Sequence, residues 1–133
     1  MKNIGFVLIM FFALLLSSCS KENAKSYEGT YDVDLVWTLE HKLPGVMTIT
    51  ESNGALSINF KTTDINYDMV NTTFTAKDNS NDYFDVTPCN LCWGPEVSIT
   101  SGEVRKVNEK ISINLQLYDR EVDWSVGCEI NEK

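Results

Sequence analysis

The feature that most constrains this chain is an alternation of apolar and polar residues that returns along most of its length. Tyr31, Val33, Leu35, Trp37 and Leu39 fall on one phase, with Thr30, Asp32, Asp34 and Thr38 on the other. Only Val36 breaks the polar set. Successive side chains of a strand point to opposite faces, so a period of two marks a strand with one buried and one wet face, as in antiparallel sheets. The pattern recurs at Met47 and Ile49, at Leu56, Ile58 and Phe60, and at Val97 and Ile99. It is cleanest at Ile111, Ile113, Leu115 and Leu117, and it ends on Val122, Trp124, Val126, Cys128 and Ile130. Ile65, Tyr67 and Met69 take one phase while Val70, Thr72, Phe74 and Ala76 take the other, which calls for a bulge or bend at residues 68–71.

Turn signals separate these runs. Pro44-Gly45 predicts a turn, and Asn53-Gly54 predicts a tight hairpin because both residues tolerate positive φ. Residues 78–82 form a loop by composition, Gly102 marks a turn or bulge, residues 106–110 turn, and Asp119-Arg120 turns again. About eight strands result, with no helical period among them. The expected fold is all-β, a small antiparallel barrel or, as the alternative, a β-sandwich. Pairing of the strong first and last strands would close a barrel and remove exposed edges.

The N-terminus follows a different logic. Met1-Lys2-Asn3 precedes residues 4–16, all apolar but for Gly5. A bilayer core takes about 20 apolar residues, so this run is short for a permanent span and reads as a secretory signal. Leu16-Ser17-Ser18-Cys19 after it resembles the lipobox of bacterial lipoproteins. That resemblance implies cleavage between Ser18 and Cys19, a diacylglyceryl group on the Cys19 sulfur and acylation of the new amine. One acyl chain holds a protein only marginally, whereas two or three anchor it. The implied organisation is a signal peptide at 1–18, a lipidated cysteine and flexible tether at 19–28, and one β-domain at 29–133. The implied place is the cell envelope, at the outer membrane, with the lipid as the membrane contact. Lys21-Glu22 loosely resembles the surface-export signals of Bacteroidota lipoproteins, which are usually more acidic. Removing the signal takes Lys2 with it and leaves ten basic against nineteen acidic side chains, a net charge of −9. Such a chain is repelled by phosphate backbones, so nucleic acid is not an expected partner.

Gly29-Thr30-Tyr31 at the head of the first strand resembles the Gly-x-Trp opening of lipocalin-like proteins, with Tyr in place of Trp. The likeness implies a small calycin-like barrel, with Arg120 packed over Tyr31.

Cys89, Cys92 and Cys128 remain after Cys19. Thiols beyond the inner membrane tend to oxidise. A bridge from Cys128 to Cys89 or Cys92 is the favoured pairing, closing a loop of roughly 40 residues and contributing about 4 kcal/mol in the chain-entropy model. The alternative joins Cys89 to Cys92, and either choice leaves one thiol over. A redox-active Cys-x-x-Cys pair needs a helix N-terminus to lower a thiol pKa. Pro88 precedes this pair and Trp93-Gly94-Pro95 follows it, which suits no helix start. Covalent haem would need His where Trp93 stands. Cys89, Cys92, Cys128 and His41 are a zinc alternative that export disfavours. His41 is the only imidazole and sits in a polar turn context, so no catalytic residue is expected. Asp78, Ser80 and Asp82 begin like a calcium loop, but Tyr83 and Cys89 stand where that pattern needs Gly and Glu. No cofactor or metal is expected.

Tyr31, Trp37, Phe60, Phe74 and Trp124 lie on inward phases. Aromatics at strand spacing form core, and in a calycin-like barrel they would also line a cavity for a small apolar ligand. The function expected from these residues is non-enzymatic binding by a lipid-anchored envelope protein, of a small apolar ligand or an envelope protein. The alternative is a thiol-redox or metal-binding protein that uses Cys89 and Cys92.

Overall fold

A computed structural model describes residues 24–38, 41–64, 71–79, 82–93 and 96–130. They form eight antiparallel strands: β1 (Gly29–Thr38), β2 (His41–Ser52), β3 (Ala55–Thr62), β4 (Asn71–Asp78), β5 (Tyr83–Val86), β6 (Val97–Val107), β7 (Lys110–Asp119) and β8 (Val122–Ile130). Each strand pairs with its neighbour in sequence, and β1 pairs with β8 from Val33↔Ile130 to Val36↔Gly127. That last pairing closes the sheet, so the fold is a barrel and not a sandwich. The alternating apolar residues point into it: Val33, Leu35, Ile58, Phe60, Ile113, Leu115, Leu117 and Val126 are all buried. Residues 1–18, Cys19, the phase change at 65–70 and the Trp37 side chain lie outside the described residues.

The eight strands are not all the eight expected. β5 is only four residues long, too short for its alternation of Phe84 and Val86 to stand out, and the sequence pattern passes over it. β6 runs eleven residues where a short strand is predicted. A bulge between Ile99 and Ser101 shifts its inward phase from Ile99 to Gly102 and Val104. Asn53-Gly54 makes the expected two-residue hairpin, at φ 54° and 81°. Asn108 and Glu109 do the same between β6 and β7, at φ 52° and 66°.

Pro44-Gly45 is not a turn. Both residues lie inside β2, opposite Asp34 and Val33. The Phe60 ring crosses the strand at Gly45, where a Cβ would come within 2.4 Å of Phe60 Cε2 and 2.7 Å of the Lys61 carbonyl oxygen. The glycine is there for close approach. The Pro44 carbonyl accepts bonds from the Thr63 N–H at 3.0 Å and the Thr62 hydroxyl at 3.1 Å. Its missing N–H falls on that same side, just past the end of β3, where only the reciprocal bond to Thr63 is forgone.

The domain also begins before residue 29. Residues 24–28, assigned to the tether from sequence, fold as a turn across one end of the barrel. The Tyr27 N–H donates to the Ala24 carbonyl at 3.1 Å, and Ala24 and Tyr27 are both buried. Tyr27 meets Phe84 edge to face at 5.2 Å between centroids.

Cys89 and Cys92 form a disulfide, while Cys128 is buried in β8 outside it. This overturns the favoured bridge to Cys128, and register explains why. Cys89 pairs with Ile99, Ile99 with Leu117, and Leu117 with Trp124. Cys128 stands four residues farther along β8, about 13 Å by strand rise, whereas a disulfide needs Cα atoms within about 7 Å. A loop this small contributes about 2 kcal/mol in the chain-entropy model. Replacing Cys89 and Cys92 together by serine is expected to lower the melting temperature on the order of 10 °C. A thermal melt reads it, and no change would mean the bridge constrains nothing.

Candidate functional site

The two barrel ends differ in how they are covered. At one end lie the β2–β3 and β6–β7 hairpins and Tyr27. At the other, the loop between β5 and β6 folds over the opening. Cys89 exchanges both backbone bonds with Ile99, each 3.0 Å. Its disulfide to Cys92 forces a tight reversal, with Leu91 at φ 51°. The Leu91 N–H donates to Ser98 Oγ at 2.9 Å, and Ser98 Oγ donates to Asn90 Oδ1 at 2.8 Å. The Thr72 hydroxyl donates to the Cys92 carbonyl from inside β4. The Trp93 N–H donates to the Val97 carbonyl at 3.0 Å.

These ties hold one ring in the mouth. Trp93 is 6 % exposed although it belongs to a loop. Its ring lies 5.9 Å from that of Phe60 with the planes 8° apart, and 6.5 Å from Phe74 at 42°. Offset stacking of this kind contributes about 1 kcal/mol beyond the area it buries. The buried polar groups at this mouth, Thr62 and Thr72, spend their hydroxyls on backbone carbonyls. The arrangement offers flat apolar contact.

Four of the five aromatic candidates therefore separate, the fifth, the Trp37 side chain, lying outside the described residues. Phe60 and Phe74 sit under Trp93. Trp124 is half-buried against the core, on the strand pair that carries Leu117. Tyr31 belongs to the opposite end, where its hydroxyl lies 2.9 Å from the Tyr27 carbonyl and 3.2 Å from that of Glu28. Trp93 itself is not among the five. It obeys no strand period, and its segment stands out in the sequence only for cysteine chemistry. A tryptophan directly after a closed Cys-x-x-Cys is the signal available.

No protein-family model matches this chain, and no curated protein matches it. Three solved designed proteins share its fold. A redesigned β-barrel, mFAP1, described bound to DFHBI, aligns at TM-score 0.57 and 13% identity, over 83% of this chain and 98% of its own. A second redesigned barrel, b11L5F_LGL, aligns at TM-score 0.60 and 11% identity, over 84% of this chain and 96% of its own. A third, from the de novo design of a fluorescence-activating β-barrel, aligns at TM-score 0.57 and 12% identity, over 82% of this chain and 96% of its own. At these identities the likeness is one of fold.

Other expected placements are corrected by the barrel. Arg120 does not pack over Tyr31: it sits exposed in the β7–β8 turn, at the Trp93 end, in an ion pair with Glu96. The cation at the Tyr27 end is Lys106, whose Nζ lies 5.1 Å from the Tyr27 ring centroid and donates to the Ser26 carbonyl at 2.7 Å. The zinc set is not assembled. Cys89 and Cys92 are joined to each other, Cys128 is buried in β8, and His41 is exposed at the start of β2. Among the described residues no three His, Cys, Asp or Glu side chains cluster to hold a metal ion.

Proposed function

We propose that this chain is a lipid-anchored protein of the bacterial cell envelope that binds a flat apolar small molecule and performs no chemistry on it. The anchor is supported by the apolar run at 4–16 and by Leu16-Ser17-Ser18-Cys19 after it. The observation that carries the binding half is the Trp93 ring stacked on Phe60 at the mouth, held there by a loop rather than by a strand. A flat ligand would replace one stacked ring by another, so the exchange costs little contact. The mFAP1 barrel, similar in fold and described bound to DFHBI, supports the capacity of such a barrel to hold a ligand.

A protein partner is the second reading, and exposed apolar residues favour it. Leu91 is 54 % exposed and Val122 61 %, both at the Trp93 end. Titration of the full chain with DFHBI and with anilinonaphthalene sulfonate separates the two. Saturable emission together with tryptophan quenching supports the small-molecule reading, and its absence with both dyes ends that reading. Mass analysis of protein from the native host tests the anchor. A lipidated Cys19 terminus is expected, and an intact Met1 without lipid mass would overturn it.

A further inference from the structure

A second, chemically opposite surface lies outside the barrel. A groove of about 490 Å³ crosses the outer face of β5, β6, β7 and β8. The outer face of a closed barrel is convex, so a depression there needs missing side chains. Ser101 and Ser125 are short, and Gly127 has none.

Gly127 is the informative one. At Gly45 and Gly102 an added Cβ would collide with backbone or ring atoms, at 2.4 Å and 2.6 Å. At Gly127 it would meet nothing nearer than 3.8 Å, and φ is not left-handed. Neither packing nor conformation requires glycine here, and glycine weakens a strand interior. What its absent side chain does is leave the groove floor open. The β7–β8 register has no bulge at Gly127, and close approach of a ligand or another backbone is a further use of a strand glycine.

Around that floor stand planar polar groups in cross-strand register. Asp85 is opposite Glu103, Glu103 opposite Asn114, and Asn114 opposite Gly127. Gln116 lies between Ser101 and Ser125 in the next row. Three strand spacings make the row about 14 Å long. The carboxylates are already engaged, Glu103 by Arg105 and Asp85 by the Asn79 amide. Arg105 in turn lies 5.5 Å from the Tyr83 ring centroid and helps set that ring at the groove rim. Gln116 accepts from the Ser125 hydroxyl at 2.9 Å through its carbonyl oxygen, which leaves its amide N–H donors to other partners.

We infer that this groove binds a neutral, hydroxyl-rich ligand, a short oligosaccharide. Such a ligand presents paired hydroxyls that donate to the carboxylate and amide oxygens of this row and accept from its amide N–H groups, and an apolar ring face for Tyr83. A cation would have to displace Arg105 and Asn79 from the carboxylates. An added peptide strand would need a sheet edge, which closure removes.

The test is calorimetric titration of the purified full chain with maltotriose, cellotriose, laminaritriose and chitotriose, with the Asn114 and Gln116 side-chain amide signals followed by NMR. Saturable heat with movement of those signals is expected for at least one of the four. Asn114→Ala should weaken it about ten-fold, the worth of roughly one hydrogen bond to a ligand. Gly127→Val should abolish it with the melting temperature unchanged or higher. Should valine unsettle β8, Gln116→Ala, outside the core, reads the same contact. No saturable response to any of the four, or binding that survives Gly127→Val in a folded protein, overturns the inference. Neither result bears on the dye titration at the Trp93 end.

Discussion

Trp93→Ala is expected to destabilise the barrel by about 3 kcal/mol and, in the same molecule, to raise its uptake of flat apolar dyes. Truncating a buried Trp or Phe to Ala costs about 3–5 kcal/mol, through lost transfer free energy and the void left behind. The lower figure applies because a ring at a mouth leaves a void that solvent and neighbours can partly fill. The covering loop should stay in place, since the Cys89 bonds to Ile99 and the Thr72 bond to the Cys92 carbonyl involve no Trp93 atom. What remains is an apolar recess over Phe60 and Phe74 beneath a tied loop, and apolar recesses take up apolar molecules. Urea unfolding gives the first quantity and dye emission the second. Loss of stability without added dye uptake would make Trp93 ordinary core and remove the support for the ligand reading. Trp93→Phe should keep most of both properties.

Much of this barrel is written locally. Val33 and Leu35 in β1, Ile111 to Leu117 in β7 and Val126 and Cys128 in β8 declare their faces by alternation alone, and burial follows that phase, whereas Val122 at the head of β8 keeps the phase but lies exposed. Asn53-Gly54 declares its hairpin by the φ its residues tolerate. What was illegible depends on contacts distant in sequence. Pro44-Gly45 has turn chemistry, yet the Phe60 ring from the next strand decides that Gly45 lies in β2. Cysteine spacing allows two pairings, and the choice rests on where the β6–β7–β8 register puts Cys128. Trp93 and Tyr27, which cover the two mouths, come from segments with no period. Nothing local distinguishes a plugging aromatic from one in a polar linker. The outer groove is hidden for a related reason: Gly127 reads as a weak point in a strand until its surroundings are known to leave room for a side chain.

Tyr27→Ala is the counterpart at the other mouth, with an expected loss of about 3–4 kcal/mol. Tyr27 is 1 % exposed, meets Phe84 edge on, and has the Lys106 ammonium over its ring. Truncation removes the buried ring and both of these contacts, whereas Tyr27→Phe keeps the ring and should cost far less. The two variants also separate by pH. Burial raises the Tyr27 phenol above its ordinary value of 10.0, as does the Asp82 charge, while a Lys106 backbone contact works the other way. A phenol raised in the folded state is lost from the unfolded chain first. Its contribution is therefore whole below pH 10 and declines as pH climbs through the folded value. Wild-type stability should fall above pH 10, and Tyr27→Phe should fall less steeply, keeping only the share of Tyr31, which burial also raises. On the proposed anchor this matters for orientation. Only four residues lie between Cys19 and Ala24, a reach of at most about 18 Å of chain. With Tyr27 seated, the barrel stands close to the bilayer on that end, and the Trp93 mouth faces away. Tyr27→Ala lengthens the tether, so a protease accessible to the envelope should cut near residue 24 in that variant and spare the wild type. Equal cleavage in both, or stability unchanged by Tyr27→Ala, would mean the segment ahead of β1 is not part of the fold.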